Sequence, residues 1–177
     1  MQKLLILDID ETLLHATEQP LDREHDFMLA HYFVYLRPHV HDFMAFCREH
    51  FKVAIWTAGN QLYAQRTVQA VCGEAYPLEF VWSRKRCTPT FDPENFKHIY
   101  LKNLNKVKRR GFRLEQVIMI DNTPQKLAKN YGNLVQVNDF RGCPDDQELP
   151  LLQRYLLHLK MKPMCVPSKK GVGRKIG

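Results

Sequence analysis

With 177 residues, 45% of them hydrophobic and 25% charged, the chain has the balance of a soluble globular protein and the length for one sizeable core. Its five cysteines are scattered and odd in number with no CxxC pair, which argues against a disulfide framework or a thiolate zinc site and for a reducing compartment. No apolar run reaches the length of a signal-peptide core or a membrane span, and the net charge of +7 suits an acidic partner: a phosphorylated substrate, a nucleic acid or a membrane surface.

In chain order, Lys3 to Leu7 is a near-continuous apolar run that predicts a strand buried on both faces, ending in Asp8-Ile9-Asp10-Glu11-Thr12. Phe27 to Leu36, rich in aromatic and β-branched residues, predicts a hairpin or flap. Pro38 then suits the first turn of a helix carrying Val40, Phe43, Met44 and Cys47 on one face. Val53 to Thr57 is a second buried strand, closed by Ala58-Gly59-Asn60 before a helix over 61–71. Phe80 to Trp82 and the turn-rich Cys87 to Asn95 predict short strands and loops. Gln116 to Ile120 is a third buried strand, ended by Asp121-Asn122-Thr123-Pro124, with Pro124 opening a helix. Leu134 to Val137 is a fourth strand, 139–146 a loop, and Glu148 to Leu159 an amphipathic helix. The expected organisation is one domain over 1–162 and a basic, flexible tail over 163–177.

Apolar strands alternating with helices predict an α/β doubly wound, mostly parallel sheet with helices on both faces, a short hairpin flap and a small insert. Ligands of such sheets bind at the carboxyl ends of the strands, where Asp8, Asp10, Thr57, Asp121 and Asn122 all fall. Asp8 and Asp10 point to the same side of an extended segment, so their repulsion needs a cation, a shared proton or open solvent. A hard divalent ion such as Mg²⁺ is the simplest remedy. An ordinary strand exit would also place Asp and Thr here as turn caps, but several apolar strands ending alike favour a site.

These stretches resemble a known family. Asp8-Ile9-Asp10-Glu11-Thr12, Trp56-Thr57-Ala58, Lys102 within Tyr100-Leu101-Lys102-Asn103-Leu104, and Ile120-Asp121-Asn122-Thr123-Pro124 look like the four ordered motifs of haloacid-dehalogenase-superfamily phosphatases. The FCP/SCP-like, NLI-interacting-factor-like branch, which dephosphorylates the C-terminal domain of RNA polymerase II and other phosphoproteins, is the nearest in pattern. The flanking Leu13-Leu14-His15, Leu36-Arg37-Pro38 and Leu62-Tyr63-Ala64 agree with that branch too.

The resemblance implies Asp8 as nucleophile, Asp10 as general acid and base, and Thr57 and Lys102 as catalytic partners that bind the phosphoryl group. Mg²⁺ is the implied cofactor, with Asp8, Asp10 through its backbone carbonyl, Asn122 and Asp121 at the metal, Asp121 orienting a metal-bound water or Lys102. Thr12, Thr57, Ala58, Arg84 and Lys102 are expected against the substrate. The gaps between motifs hold a flap and an insert over 80–96 but no large cap domain, so a phosphorylated Ser, Thr or Tyr side chain of a protein is the expected substrate.

A polynucleotide or small-metabolite phosphatase is the alternative on the same chemistry. The cluster Lys106-Val107-Lys108-Arg109-Arg110 would serve a phosphate backbone, but no aromatic-rich RNA motif accompanies it. A phospho-accepting receiver module also uses strand-end Asp, Thr and Lys, but there an adjacent acidic pair comes first and the phosphoacceptor later. A monomeric protein, cytoplasmic or nuclear, is the corresponding expectation.

Overall fold

Leu4–Leu7 forms β1, and all four side chains are buried, as a strand covered on both faces requires. The computed structural model describes residues 2–92, 96–162 and 164 and the backbone of Arg174 and Lys175. After β1 the chain makes a small antiparallel sheet: β2 (Leu14–Thr17), β3 (Phe27–Leu29) and β4 (Tyr32–Leu36), in the order β2-β4-β3. The expected hairpin flap is thus three-stranded, because Leu14 to Thr17 pairs with Phe33 to Leu36 on the outer side of β4. Helix α1 (Val40–His50) buries Val40, Phe43, Met44 and Cys47, the stripe read from the sequence.

Strand β5 (Lys52–Trp56) leads through Asn60 into α2 (Gln61–Cys72), where the Asn60 side chain accepts the Tyr63 N–H at 2.9 Å and caps the helix. Then come β6 (Leu78–Trp82), the hairpin β7 (Thr88–Asp92) and β8 (Lys97–Leu101), and one turn of helix, α3 (Asn105–Lys108). Strand β9 (Val117–Asp121) is buried throughout. Pro124 opens only a 3₁₀ turn, Pro124–Leu127. The Asn130 side chain turns away there to accept the Leu104 N–H at 3.0 Å, and the next short turn, Tyr131–Asn133, feeds β10 (Leu134–Gln136). Helix α4 (Glu148–Lys160) closes the well-packed part. Of the tail expected to be flexible, Arg174–Lys175 pairs as β11 with β10; most of the rest, with 93–95 of the insert, lies outside the described residues.

The main sheet is parallel, in the order β11-β10-β9-β1-β5-β6. Alternation along the strands divides the core in two. Leu5, Leu7, Val53, Ile55, Ile118 and Ile120 pack with apolar residues of α1 and α4 on one face. Leu4, Ile6, Ala54, Trp56, Met119 and the β6 residues Phe80 and Trp82 pack on the other with Cys87, Leu104, Val107 and Leu127, so that face is covered by the segment after β6, α3 and a 3₁₀ turn rather than by long helices. From β1 the chain moves outward to β5 and β6 and returns to β9 on the opposite side. The β1/β9 boundary is therefore the switch point, where an open α/β sheet leaves a crevice. Among the described residues no helix is long and apolar enough to cross a membrane.

One long-range clamp holds the loop after β1. Arg37, wholly buried, donates from Nε and Nη2 to the Asp146 carboxylate at 2.8 and 2.9 Å and from Nη1 to the Thr12 carbonyl at 3.0 Å. Asp146 also accepts the Glu148 N–H at 3.0 Å, so the same carboxylate starts α4. Asp146→Ala leaves a buried guanidinium without its counter-charge, and a stability loss of about 3–5 kcal/mol is expected in urea unfolding. A loss below about 1 kcal/mol would show that water replaces the pair.

Candidate active site

The register of the sheet brings the two acidic strand ends together. Leu7 lies opposite Ile120, and the Asp8 N–H donates to the Ile120 carbonyl at 3.0 Å, so Asp8 emerges beside Asp121. Both carboxylates are inaccessible to solvent, as is Lys102, which follows β8. The Lys102 ammonium bridges them, 2.8 Å from Asp8 Oδ1 and 2.7 Å from Asp121 Oδ2. The neighbouring Lys126, on the turn after β9, donates to Asp8 Oδ2 at 2.7 Å and stands 3.4 Å from Asp121 Oδ1. The two lysines are also tied through their backbones, the Lys102 N–H donating to the Lys126 carbonyl at 2.7 Å.

Asp10 reaches the same crevice by a tight turn. The N–H groups of Thr12 and Leu13 both donate to the Ile9 carbonyl, and Glu11 takes a left-handed φ of 59° to allow it. The Asp10 carboxylate accepts from the Thr57 hydroxyl at 3.1 Å and from the Tyr63 hydroxyl. Thr57 in turn accepts the Gly59 N–H at 2.9 Å, which fixes its rotamer. Gly59 is needed as glycine: a Cβ there would stand 2.6 Å from the Tyr63 ring and 3.3 Å from the Thr57 hydroxyl.

Electrostatics separate the two carboxylates of the DxD pair. Burial would raise Asp8, but the charges of Lys102 and Lys126 outweigh it and hold the group well below the usual carboxylate range. Asp10 is pushed upward, by burial first and then by the Asp8 charge, against the lowering effect of the Tyr63 and Thr57 hydrogen bonds. Burial and charge thus shift the two carboxylates in opposite directions, Asp8 toward the ionised form and Asp10 toward the protonated one, the separation that a nucleophile and an acid require.

The remaining expected residues fall around this centre. Asn122 donates from Nδ2 to Asp139 Oδ1 at 2.9 Å, which leaves its Oδ1 buried with no partner among the described residues. Asp121 spends its oxygens on Lys102, Lys126 and the Thr123 N–H, so it faces the lysines. Ala58 and Arg84 line an open cleft of about 380 Å³ with Asp10, Tyr32, Tyr63 and Lys126. Arg84 donates from Nε to the Ala58 carbonyl at 2.7 Å, and its guanidinium lies 4.9 Å from the Tyr100 ring centroid. Thr12 is buried, its hydroxyl without a partner among the described residues and its carbonyl taken by Arg37.

Two site residues escaped the sequence reading. Lys126 sits in a polar run, Gln125-Lys126, that looks like an exposed first turn. Tyr63 lies on an amphipathic helix where a tyrosine reads as packing; the family-like run Leu62-Tyr63-Ala64 singles it out but gives it no role.

A parallel sheet with carboxylates, threonine and lysine at its strand ends and no large cap defines a haloacid-dehalogenase-like hydrolase fold. A haloacid dehalogenase-like hydrolase of Xanthomonas campestris superposes with a TM-score of 0.55 at 10% identity, over 90% of this chain and 97% of that one. Fcp1, described as an essential RNA polymerase II CTD phosphatase, superposes with a TM-score of 0.61 at 19% identity, over 89% of this chain and 49% of that one. The family model for NLI interacting factor-like phosphatases matches residues 3–166, and the chain belongs to that family.

Among relatives, CTD small phosphatase-like protein 1 of Caenorhabditis elegans is 30% identical over 166 residues, 89% of this chain and 32% of the relative. A probable C-terminal domain small phosphatase of Dictyostelium discoideum is 27% identical over 155 residues, 83% of this chain and 47% of its own length. The chain thus spans less than half the length of either relative.

Proposed function

We propose that this chain is a Mg²⁺-dependent phosphomonoester hydrolase that works through an aspartyl-phosphate on Asp8 and acts on phosphorylated Ser, Thr or Tyr side chains of proteins. The observation that carries the reading is the pair of ammonium groups on one buried carboxylate, at 2.8 and 2.7 Å, beside a second carboxylate held by hydroxyls. Asp8 attacks phosphorus, and the bond from phosphorus to the side-chain oxygen breaks. Asp10 protonates that leaving oxygen; in the second step it takes a proton from water, which attacks phosphorus and frees Asp8. Acid–base help of this kind contributes about 10²–10⁴ in rate. Lys102 balances the charge of the phosphoryl oxygens and Asp121 holds Lys102 in place. Thr57, now donating to Asp10, offers the same hydroxyl to the phosphoryl group.

The donor set fits a hard cation. Asn122 presents a buried Oδ1 with no partner among the described residues, held by the Asp139 bond, and Asp8 and the Asp10 backbone carbonyl would supply the other oxygens. Among the described residues no trio of His, Cys, Asp or Glu side chains gathers as a cage of its own. Few protein oxygens suit Mg²⁺, which keeps several waters. Bound there, it would neutralise phosphoryl charge as a Lewis acid.

The open cleft, bordered by Ala16 and Tyr32 of the three-stranded flap and by Arg84, supports a side chain on a protein as substrate, and the CTD phosphatases among the relatives and neighbours agree with that class. Four free thiols among the described residues, Cys47, Cys72, Cys87 and Cys143, support a reducing compartment. The test is a panel of phosphoserine, phosphothreonine and phosphotyrosine peptides beside nucleotides and sugar phosphates, with and without Mg²⁺. Phosphate release from a peptide is expected to need the metal and to exceed the metabolites in kcat/KM. Better turnover of nucleotides or sugar phosphates would move the substrate class away from proteins.

A further inference from the structure

We infer that Lys126 is a second phosphoryl-binding cation, parked on the nucleophile Asp8 until a phosphate ester arrives and opposing the metal for the same negative site. The inference rests on the phosphatase reading and adds to it a residue and an order of events. The two lysines differ in what they can do. Lys102 has no exposed surface and is bound to two carboxylates that have none either, so it is held in place. Lys126 is 17% exposed, lines the open cleft, and stands at the other oxygen of Asp8. Asp8 Oδ1 already accepts the Ile9 N–H at 2.9 Å and the Lys102 ammonium at 2.8 Å, whereas Oδ2 carries Lys126 at 2.7 Å. Oδ2 is therefore the oxygen from which a donor can leave, and the one that attacks.

Geometry makes the exchange unavoidable. A phosphorus poised for attack stands about 3–3.5 Å from the attacking oxygen, which brings its own oxygens within hydrogen-bond reach of an ammonium on that same carboxylate. Lys126 has three donors on a flexible four-carbon stem, so it can keep Asp121, 3.4 Å away, while it turns from Asp8 to the incoming phosphoryl group. Only the side chain needs to move, because the backbone carbonyl of Lys126 is held by the Lys102 N–H.

Charge then gives two effects of opposite sign. Asp8, Asp10 and Asp121 face the two lysines, so the centre is negative by one charge when all ionise and by two without Lys126. Neutralising Lys126 must weaken an oxyanion and strengthen a divalent cation at the same place. A residue that only held the fold together would weaken both.

The experiment is calorimetric titration of the whole chain and of Lys126→Met with Mg²⁺ alone and with tungstate in the presence of saturating Mg²⁺, with Lys126→Arg as the charge-retaining control. Lys126→Met is expected to bind tungstate about tenfold or more weakly and Mg²⁺ several-fold more tightly, with Lys126→Arg near the parent for tungstate. Unchanged affinities, or both weakened together, would overturn the inference while the parent protein still hydrolyses phosphate esters. If the parent neither binds tungstate nor hydrolyses any ester, the phosphatase reading falls and this role falls with it.

Discussion

Asp8→Asn is expected to lower phosphate-ester hydrolysis by on the order of 10⁴-fold or more, and to do so without unfolding the protein. The amide keeps the size of the carboxylate but not its charge, so it offers no anionic oxygen to phosphorus. The fold survives because neither cation is stranded: Lys102 keeps Asp121 at 2.7 Å and Lys126 keeps it at 3.4 Å. That retention separates this variant from an ordinary loss of structure. Circular dichroism and thermal unfolding should show a folded chain, while acid-quenched intact mass should show a phosphorylated species in the parent and none in the variant. Activity above about 1% of the parent in a cleanly folded variant would remove Asp8 from the role of nucleophile and leave electrostatic support as its task.

Much of this centre is legible in the sequence because it is built from strand ends. An apolar run cut off by two carboxylates needs no partner to be noticed: Leu4 to Leu7 and Lys52 to Trp56 are followed at once by Asp8 and Thr57, and Val117 to Asp121 ends on its own carboxylate. What escapes is whatever depends on distant pairing. Arg37 finds Asp146 across 109 residues of sequence, and nothing local marks either as buried. Strand β2 follows directly on the turn after β1 and alternates for only four residues, too short a run to mark it; it is a strand because β4 stands beside it. Thr88 to Asp92 and Lys97 to Leu101 likewise lack a clean period, and pairing with each other makes them strands. Lys126 escapes for the same reason, since a lysine in a polar turn becomes a site residue only when the register of β9 against β1 sets it over Asp8.

Lys102→Met should be the most destabilising single change at the site. Lys102 and both of its partners have no exposed surface, so the substitution leaves two buried carboxylates facing one another with Lys126 as their nearest remaining cation. Breaking a buried pair by removing one partner costs about 3–5 kcal/mol. For a chain of this size that corresponds to a fall in Tm of roughly 6–20 °C. The pH dependence carries the sign of the mechanism. In the parent, Asp8 lies below its ordinary value, so its stabilising contribution is present above the unfolded carboxylate range and is lost as pH falls through the folded one. In the variant, burial is opposed by one lysine instead of two, and burial raises both Asp8 and Asp121. Groups so raised take up protons more readily folded than unfolded, so acidification from pH 7 toward pH 4 should stabilise the variant relative to the parent. The deficit in unfolding free energy is therefore expected to shrink steadily over that range. A deficit that stays constant or widens on acidification would mean that the lost methylene packing of Lys102, rather than its charge, sets the penalty.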